Sequence, residues 1–259
     1  MDYSKEFKAL LNDSNWNQLE PYQKYIGVGN PNAKILIVGK ECALDTVNQF
    51  FEYDETVLQN FDDWCANVNK GIGFEDIKDW LGNSKDIYPN YNPLYPFYKQ
   101  LFIQRKVFKK DNEVIKIIGD GGTSTTWYNY QKIINLFRER HINEYELRPN
   151  YEYVDFFKDC FITELNDLCR PNNGRLSKTE RGATREHIGS RYDLICNTPY
   201  FQHQFSTVIL ACRPYSKELD TRRMFGNAKI IEYKDGVLIP QLSVNITNKL
   251  IEYIAGEII

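Results

Sequence analysis

The sequence lacks the features that mark several protein classes. None of its apolar runs approaches the roughly 20 residues that a membrane-spanning helix needs. Its start, MDYSKEFKALL, has no signal-peptide apolar core. Its six cysteines include no CxxC pair, and the motifs HExxH and GxSxG are missing. These absences predict a cytoplasmic protein with free thiols and without a membrane partner.

The chain also lacks the positive charge of proteins that coat nucleic acid. Its net charge is -3, whereas nonspecific binding comes from Lys and Arg that neutralise phosphates. A local basic groove remains compatible with this total. Aromatic residues, at 14% with 18 Tyr, are plentiful. For most of them packing is the expected role, and stacking on bases is the rarer one.

Short apolar runs alternate with helical patterns along the chain. Gly39 closes the first run. A helix precedes the second run, and the Ser and Thr residues before Trp127 are expected to supply its N-cap. Another helix ends near Cys196, and Ser243 or Asn245 is expected to cap a terminal one. This alternation predicts an α/β fold with a mainly parallel sheet covered on both faces. The predicted strands are KILIV (34–38), CFIT (160–163), STVILAC (206–212) and AKIIEY (228–233).

The region between the first two strands is predicted to be an insertion, at about 46–120, within a single domain spanning 1–259. Helical patterns cover 46–68 and 74–81. The following stretch, KDIYPNYNPLYPFYKQLF, holds three prolines and four tyrosines and predicts an ordered aromatic loop. VIKII (114–118) is a strand or a helix end.

Ligands of parallel α/β sheets bind outside the carboxyl ends of the strands. Four segments are therefore expected at that edge: 39–45, 164–175, 213–217 and 240–245.

These segments resemble the uracil-DNA glycosylase superfamily, above all its iron–sulfur branch. The similar phrases are GVGNPNAKILIVGKECALD, FITELNDLCRPNNGR and DLICNTPYFQHQFSTVILACRPYS, in the family's order and over roughly 26–45 and 123–250. The resemblance implies a three-layer α/β/α sandwich. It also implies a pocket that receives a base flipped out of the nucleic acid.

The resemblance assigns roles to residues at three loops. Glu41 takes the place of the residue that orients water or stabilises the cationic sugar, and Gln241 the place of the histidine that supports the leaving base. Glu164 takes the place of the asparagine that reads the base edge, and Ser243 belongs to the last loop. Gly39, Lys40 and Asn166 complete the expected substrate site.

Each of these residues departs from the family pattern. No proline shapes the loop at Glu41, which instead pairs with Lys40 or caps the next helix in a purely structural alternative. An ionised Glu164 accepts hydrogen bonds only, which suits the exocyclic amine of cytosine or adenine better than uracil. Its alternative is a solvated residue at a strand end. Gln241 cannot be cationic, and the histidines 141, 187 and 203 are expected on the surface or in the core.

Aromatic and basic residues complete the candidate site. Tyr95 and Phe97 are expected to supply the stacking aromatic, whereas Trp127, Tyr128 and Tyr130 are not expected in the pocket. A solvated charged face is the alternative for every cation, including the cluster RKVFKK at 105–110. The residues assigned to a nucleic-acid backbone are Arg170, Arg175, Arg213, Lys217 and Arg222.

The cysteines predict that no iron–sulfur cluster binds. Such a cluster needs four thiolates. Cys169 and Cys196 occupy two ligand positions of that branch, but no cysteine precedes Cys42. We therefore expect no metal and no cofactor, with Cys169 and Cys196 close together and buried.

Three functions are compatible with these residues. The first is a DNA glycosylase-like enzyme with altered base specificity and little activity on uracil. The second is a noncatalytic nucleic-acid or nucleotide-binding protein, favoured by the missing family histidine and proline. The third is a hydrolase of free nucleosides or nucleotides. The expected partner is DNA or a nucleotide or nucleoside, bound by a monomer.

Overall fold

A five-stranded sheet forms the centre of the computed structural model, which describes residues 1–77, 91–110, 113–144, 146–171, 176–243 and 246–259. The strands are β1 (Val28–Gly29), β2 (Ile35–Gly39), β3 (Leu101–Gln104), β4 (Lys106–Lys110), β5 (Glu113–Ile118), β6 (Gly122–Thr123), β7 (Cys160–Glu164), β8 (Thr207–Leu210), β9 (Lys229–Ile231), β10 (Tyr233–Lys234) and β11 (Val237–Leu238). The helices are α1 (Lys5–Leu11), α2 (Ser14–Asn17), α3 (Phe50–Tyr53), α4 (Asn60–Lys70), α5 (Thr125–Arg140), α6 (Lys178–Cys196), α7 (Pro199–His203), α8 (Thr221–Phe225) and α9 (Asn248–Glu257).

The central sheet is mostly parallel, as the alternation predicts. Its strand order is β1-β7-β2-β8-β9, and only β1 runs antiparallel to its neighbour. All five residues of β2 and all four of β8 are buried. Because successive side chains of a strand point to opposite faces, both faces of these strands are covered. The chain therefore has an α/β fold.

The register of the sheet brings two of the predicted loops together. Gly39 of β2 is paired directly with Glu164 of β7. Beyond the strands the pairing continues in the loops, where the Leu165 amide donates to the Gly39 carbonyl (3.0 Å) and the Asn166 amide to the Lys40 carbonyl (2.8 Å). Residues 39–41 and 164–166 thus lie side by side at the carboxyl edge.

Two helices are fixed by the caps that the sequence offers. Ser124 accepts from the Trp127 amide and begins α5, where the Ser and Thr residues predict a cap. The Ser177 and Glu180 side chains form a capping box at the start of α6. The predicted cap of the last helix is wrong, because α9 begins at Asn248 with the Thr247 side chain as its cap.

The insertion is less regular than its helical pattern predicts. The expected helix over 46–68 is divided into α3, a π-helical turn over Asp54–Leu58, and α4. Asn60 and Trp64 hold α4 in place, since both side chains donate to the Gly27 carbonyl at 2.9 Å. Part of the second expected helix, residues 78–81, lies outside the described residues.

VIKII does form a strand, but not one of the central sheet. It belongs to β5, which pairs only with β4 in a two-stranded antiparallel hairpin. All six residues of β5 are exposed. Its apolar character therefore does not report a place in the core.

The start of α5 is held against the end of the insertion. Phe102 of β3 stacks on Tyr128 with ring centroids 4.7 Å apart. The side chain of Gln104 donates to the Thr125 hydroxyl at 2.9 Å. These contacts place the first turn of α5 beside the aromatic loop that precedes β3.

Candidate functional site

A cavity of about 300 Å³ opens where β2 and β7 end. It is lined by Glu41, Glu164 and Gln241, which come from three of the four segments expected at this edge. The insertion contributes the opposite wall, including Glu52, Thr56, Tyr91 and Phe97. Tyr25, Val28, Cys42, Ala43, Leu44, Val57, Pro96, Ser124, Thr126, Trp127 and Ile162 complete the lining.

The Glu164 carboxyl group lies directly on the backbone of Gly39. A Cβ atom at residue 39 would come within 2.2 Å of Glu164 Oε2 and 2.8 Å of its Cδ, far inside van der Waals contact. The approach is possible only because residue 39 has no side chain. Gly39 therefore acts by making room for Glu164 rather than by contacting a ligand through a side chain.

The surroundings of Glu164 favour its neutral form. Burial raises its pKa well above the usual value, and the nearby Cys42 and Glu41 raise that pKa further. Its Oε2 atom is buried without a hydrogen-bond partner among the described residues. A neutral carboxyl group offers one O–H donor and one carbonyl acceptor, as an amide does. The expectation that Glu164 only accepts hydrogen bonds applies to an ionised carboxylate, which burial disfavours.

Glu41 is held differently, by two cations. Lys40 Nζ lies 3.3 Å from its Oε1, and Arg170 contacts the same oxygen at 3.4 Å. Glu41 is buried, and its Oε2 has no hydrogen-bond partner among the described residues. The predicted pairing with Lys40 is therefore present, and one carboxylate oxygen remains for a ligand or a water.

The side chains of Lys40 and Arg170 contact Glu41 and do not line the cavity. Lys40 Nζ also lies over the Tyr215 ring, 5.1 Å from its centroid. The Arg170 amide donates to the Cys42 carbonyl at 2.9 Å, which ties the two loops together. Tyr215 stands against this group, and burial together with Glu41 raises the pKa of its phenol.

Two aromatic rings face each other on the cavity wall. Phe97 and Trp127 have centroids 5.3 Å apart and ring planes tilted by 46°. Phe97, which is expected to supply the stacking aromatic, lies on the cavity lining, and so does Trp127, which is not expected there. Trp127 belongs to α5, but it lies in the first turn, and the insertion folds against that turn. Phe97 has a φ of 53°, which is uncommon for a residue with a side chain and is often found at functional sites.

Tyr95 and Asn166, both expected in the substrate site, lie away from the cavity lining. Tyr95 is buried, and its hydroxyl donates to the Val154 carbonyl at 2.7 Å. Asn166 is buried too, and its side-chain oxygen accepts from the Leu168 amide at 3.2 Å. Tyr95 thus belongs to the core, and Asn166 shapes the loop that follows β7.

The last predicted loop contributes one residue to the cavity. Gln241 lines it, while Ser243 contacts α5 through its carbonyl, which accepts from the Asn129 side chain at 3.0 Å. Residues 244 and 245 lie outside the described residues. Of these two residues, Gln241 therefore lines the cavity and Ser243 does not.

The cysteines are arranged differently from the prediction. Cys169 hydrogen-bonds Cys42, and this contact and burial raise the pKa of the Cys42 thiol. Cys196 instead contacts the Tyr192 side chain. Cys42 and Cys169 thus approach each other beside the cavity, and Cys169 is half-buried, whereas the sequence predicts that it is buried. Within the described ranges, no group of three or more His, Cys, Asp or Glu residues has the arrangement of a metal site.

The cations assigned to a nucleic-acid backbone are found in different surroundings. Arg170 is bound to Glu41. Arg213, Lys217 and Arg222 are exposed and follow the carboxyl end of β8, where the sequence predicts them. Arg175 lies outside the described residues.

One histidine has a buried partner that the sequence pattern does not indicate. His187 Nδ1 lies 2.6 Å from the Asp167 carboxylate. Asp167 is buried and follows β7 by three residues. His187 is not part of the cavity lining, so the pair fixes α6 against the loop after β7.

Comparison with known proteins found no matching family model, curated protein or solved structure. No helix in the described part of the chain has the length and apolar character to cross a membrane. The resemblance to the uracil-DNA glycosylase superfamily therefore rests on the quoted sequence phrases and stays a prediction.

Proposed function

We propose that the protein hydrolyses the N-glycosidic bond of a nucleotide whose base occupies the cavity. One observation carries this proposal: two carboxyl groups, Glu41 and Glu164, line the same cavity in opposite environments. Glu41 is ion-paired with Lys40 and Arg170, whereas burial raises the pKa of Glu164 and favours its neutral form. Two carboxyl groups in such different environments are typical of acid–base catalysis.

Glu164 reads the base in this mechanism. Its neutral carboxyl group donates one hydrogen bond and accepts another. The edges of nucleobases offer matching pairs, either a carbonyl beside an N–H or a ring nitrogen beside an amino group. A donor at this position also supports negative charge that develops on the departing base.

Glu41 acts on the sugar side of the bond. Cleavage of an N-glycosidic bond leaves positive charge on the sugar, and a buried carboxylate stabilises that charge. In this proposal a Glu41 carboxylate oxygen also holds the attacking water. Lys40 and Arg170 hold the carboxylate in place.

The remaining wall holds the base and the leaving group. Phe97 and Trp127 offer aromatic surface on which a base stacks. Gln241 donates a neutral hydrogen bond to the leaving base, in the place where the family has a histidine. Because a neutral donor supports a negative leaving group less strongly than a cation, we expect slow release of uracil.

The proposed function includes the fold that the resemblance implies. We propose a three-layer α/β/α sandwich of the uracil-DNA glycosylase type. Its support is that Glu41, Glu164 and Gln241, which the resemblance assigns to three loops in the order of the family, line one cavity.

A noncatalytic base-binding protein is the second candidate. The observation that favours it is Gln241, since no histidine is found among the described residues of the cavity wall. Such a protein would keep the stacking wall and the Glu164 edge contact and would release no base.

A screen for the released base separates the two. Oligonucleotides that each carry one different base are incubated with excess protein, and free bases are identified by mass spectrometry. We expect release of at least one base, its loss in Glu41→Gln, and faster release of uracil in Gln241→His. Binding of a base or nucleotide without release from any substrate would establish the noncatalytic candidate instead.

A further inference from the structure

The hairpin of β4 and β5 stands out because it buries little of its own apolar surface. Val107, Phe108, Val114, Ile117 and Ile118 are all exposed, by 43% to 52% of their surface. An isolated two-stranded hairpin is marginally stable in water. Exposed apolar side chains that form one contiguous patch are typical of interaction sites.

Positive charge accompanies this apolar surface. Arg105, Lys106, Lys110 and Lys116 are exposed, while Glu113 is the acidic residue of the two strands. None of these four cations forms an ion pair with any described part of the chain. The hairpin is thus locally cationic on a chain whose net charge is -3.

The register puts cations and apolar groups on one face. Lys106 is paired with Ile118, and Phe108 with Lys116. Paired residues of an antiparallel hairpin share a face, and so do residues two apart. Lys106, Phe108, Lys116 and Ile118 therefore form a single face in which lysines alternate with an aromatic and an aliphatic side chain. This set is called the ribbon face below.

Both ends of the hairpin lead into the cavity wall. Before β4, β3 follows the aromatic loop that carries Phe97; after β5, the chain reaches Ser124 and Trp127. The Arg105 amide donates to the Thr123 carbonyl at 2.8 Å, which closes the base of the hairpin. The hairpin is thereby anchored at its base to two segments that contribute residues to the cavity wall.

We propose that the ribbon face binds the polynucleotide strand whose base enters the cavity. Lys106 and Lys116 contact phosphates, and Phe108 and Ile118 pack against bases next to the target. Cations neutralise the backbone, and apolar side chains inserted between bases support an unstacked nucleotide. The identity of the cavity's ligand in this inference rests on the proposed function, whereas the binding of a polynucleotide by the hairpin does not.

The test measures binding of fluorescent single-stranded and duplex oligonucleotides to the full chain by anisotropy at several salt concentrations. The variants are Lys106→Gln with Lys116→Gln, and Phe108→Ala. The matched control is Lys5→Gln with Lys249→Gln, since both lysines are exposed and lie outside the cavity lining. Thermal unfolding of every variant is compared with that of the wild type.

We expect the double lysine variant to bind at least about tenfold more weakly at low salt, with the salt slope reduced by about one to two. Phe108→Ala weakens binding with the salt slope unchanged, and the control variant binds as the wild type does. Binding that is absent in the wild type, or equal in the ribbon and control variants, overturns the inference. Loss of anionic-vesicle binding or of self-association in the ribbon variants, with oligonucleotide binding unchanged, assigns the face to a lipid surface or to a second copy and also overturns it.

Glu41→Gln separates this inference from the proposed function. If oligonucleotides bind through the ribbon face but no base is released by the wild type, the hairpin proposal stands and the glycosidic one fails. If base release occurs and depends on Glu41 but not on the ribbon face, the reverse holds.

Discussion

Gly39 and Glu164 are paired across two parallel strands, and the carboxyl group of Glu164 occupies the space where a side chain at residue 39 would stand. A Cβ atom there would lie 2.2 Å from Oε2. The position of the Glu164 carboxyl thus depends directly on a glycine in the neighbouring strand.

Gly39→Ala is expected to displace Glu164 without unfolding the protein. The nearest atoms belong to the movable end of the Glu164 side chain, so the free energy of unfolding stays within about 1 kcal/mol of the wild-type value. Binding of the base is lost, since its edge contact has moved. Calorimetric titration measures the binding of the base. The control is Gly189→Ala on the exposed side of α6, where an added Cβ atom would have nothing within 4 Å. Unchanged binding by Gly39→Ala contradicts this role.

Glu164→Gln is expected to change how stability depends on pH. Burial raises the pKa of Glu164, so the folded chain disfavours its ionised form. The contribution of Glu164 to the free energy of unfolding is fully present below the ordinary glutamate pKa, and is lost as the pH rises through the raised value. A glutamine cannot ionise, so the variant lacks this pH-dependent loss. Chemical denaturation across pH measures the difference, and parallel profiles for both proteins would show that Glu164 is not a buried acid.

Trp127→Ala is expected to weaken binding of a base or nucleotide by about tenfold or more, because base–aromatic stacking contributes roughly 1–3 kcal/mol. Trp127→Phe retains a ring and most of the affinity. Calorimetric titration measures both variants, with Tyr151→Ala, an exposed aromatic outside the cavity lining, as the control. Equal losses in Trp127→Phe and Trp127→Ala would indicate a structural role rather than stacking.

Arg170→Gln and Arg222→Gln are expected to differ, although the sequence assigns both arginines to a phosphate backbone. Arg170 contacts Glu41 at 3.4 Å, so its loss lowers the rate of base release by about tenfold or more and leaves the salt dependence of binding unchanged. Arg222 is exposed, and its loss reduces the salt slope by about one and leaves the single-turnover rate intact. The reverse pattern would place Arg170 on the backbone.

The sequence predicts the central sheet because its strands are buried on both faces. KILIV and STVILAC are short, apolar and β-branched, and burial of that pattern leaves few alternatives. The strand-end rule then selects the loops of Glu41, Glu164 and Gln241, which line one cavity. Local pattern and topology suffice for this much.

The remaining wall of the cavity depends on contacts that local pattern does not encode. The sequence pattern does not predict Trp127 in the pocket, because Trp127 lies on a helix. The insertion nevertheless brings Phe97 against it, with ring centroids 5.3 Å apart. Tyr95, two residues from Phe97, turns into the core and bonds Val154. Which of two neighbouring aromatic residues faces a cavity is decided by tertiary packing.

The protonation of Glu164 is equally a tertiary property. Its residue type indicates an acceptor, whereas burial beside Glu41 and Cys42 favours the neutral acid. The hairpin of β4 and β5 shows the converse, since the apolar run VIKII, predicted to be a strand or a helix end, forms an exposed strand. In both cases the surroundings determine the chemistry.

The most direct test of the account is a single-turnover reaction in heavy-oxygen water, with excess protein on the oligonucleotide whose base is released most readily. The wild type, Glu41→Gln, Glu164→Gln and the exposed control Glu186→Gln are compared by the rate of base release and by heavy oxygen at the sugar. We predict hydrolysis with one solvent oxygen incorporated, a rate reduced by about a hundredfold or more in Glu41→Gln, and a wild-type rate in the control. The assignment of this cavity to glycosidic hydrolysis would be contradicted by equal rates of base release in the wild type and Glu41→Gln. It would also be contradicted if the wild type released no base from any oligonucleotide.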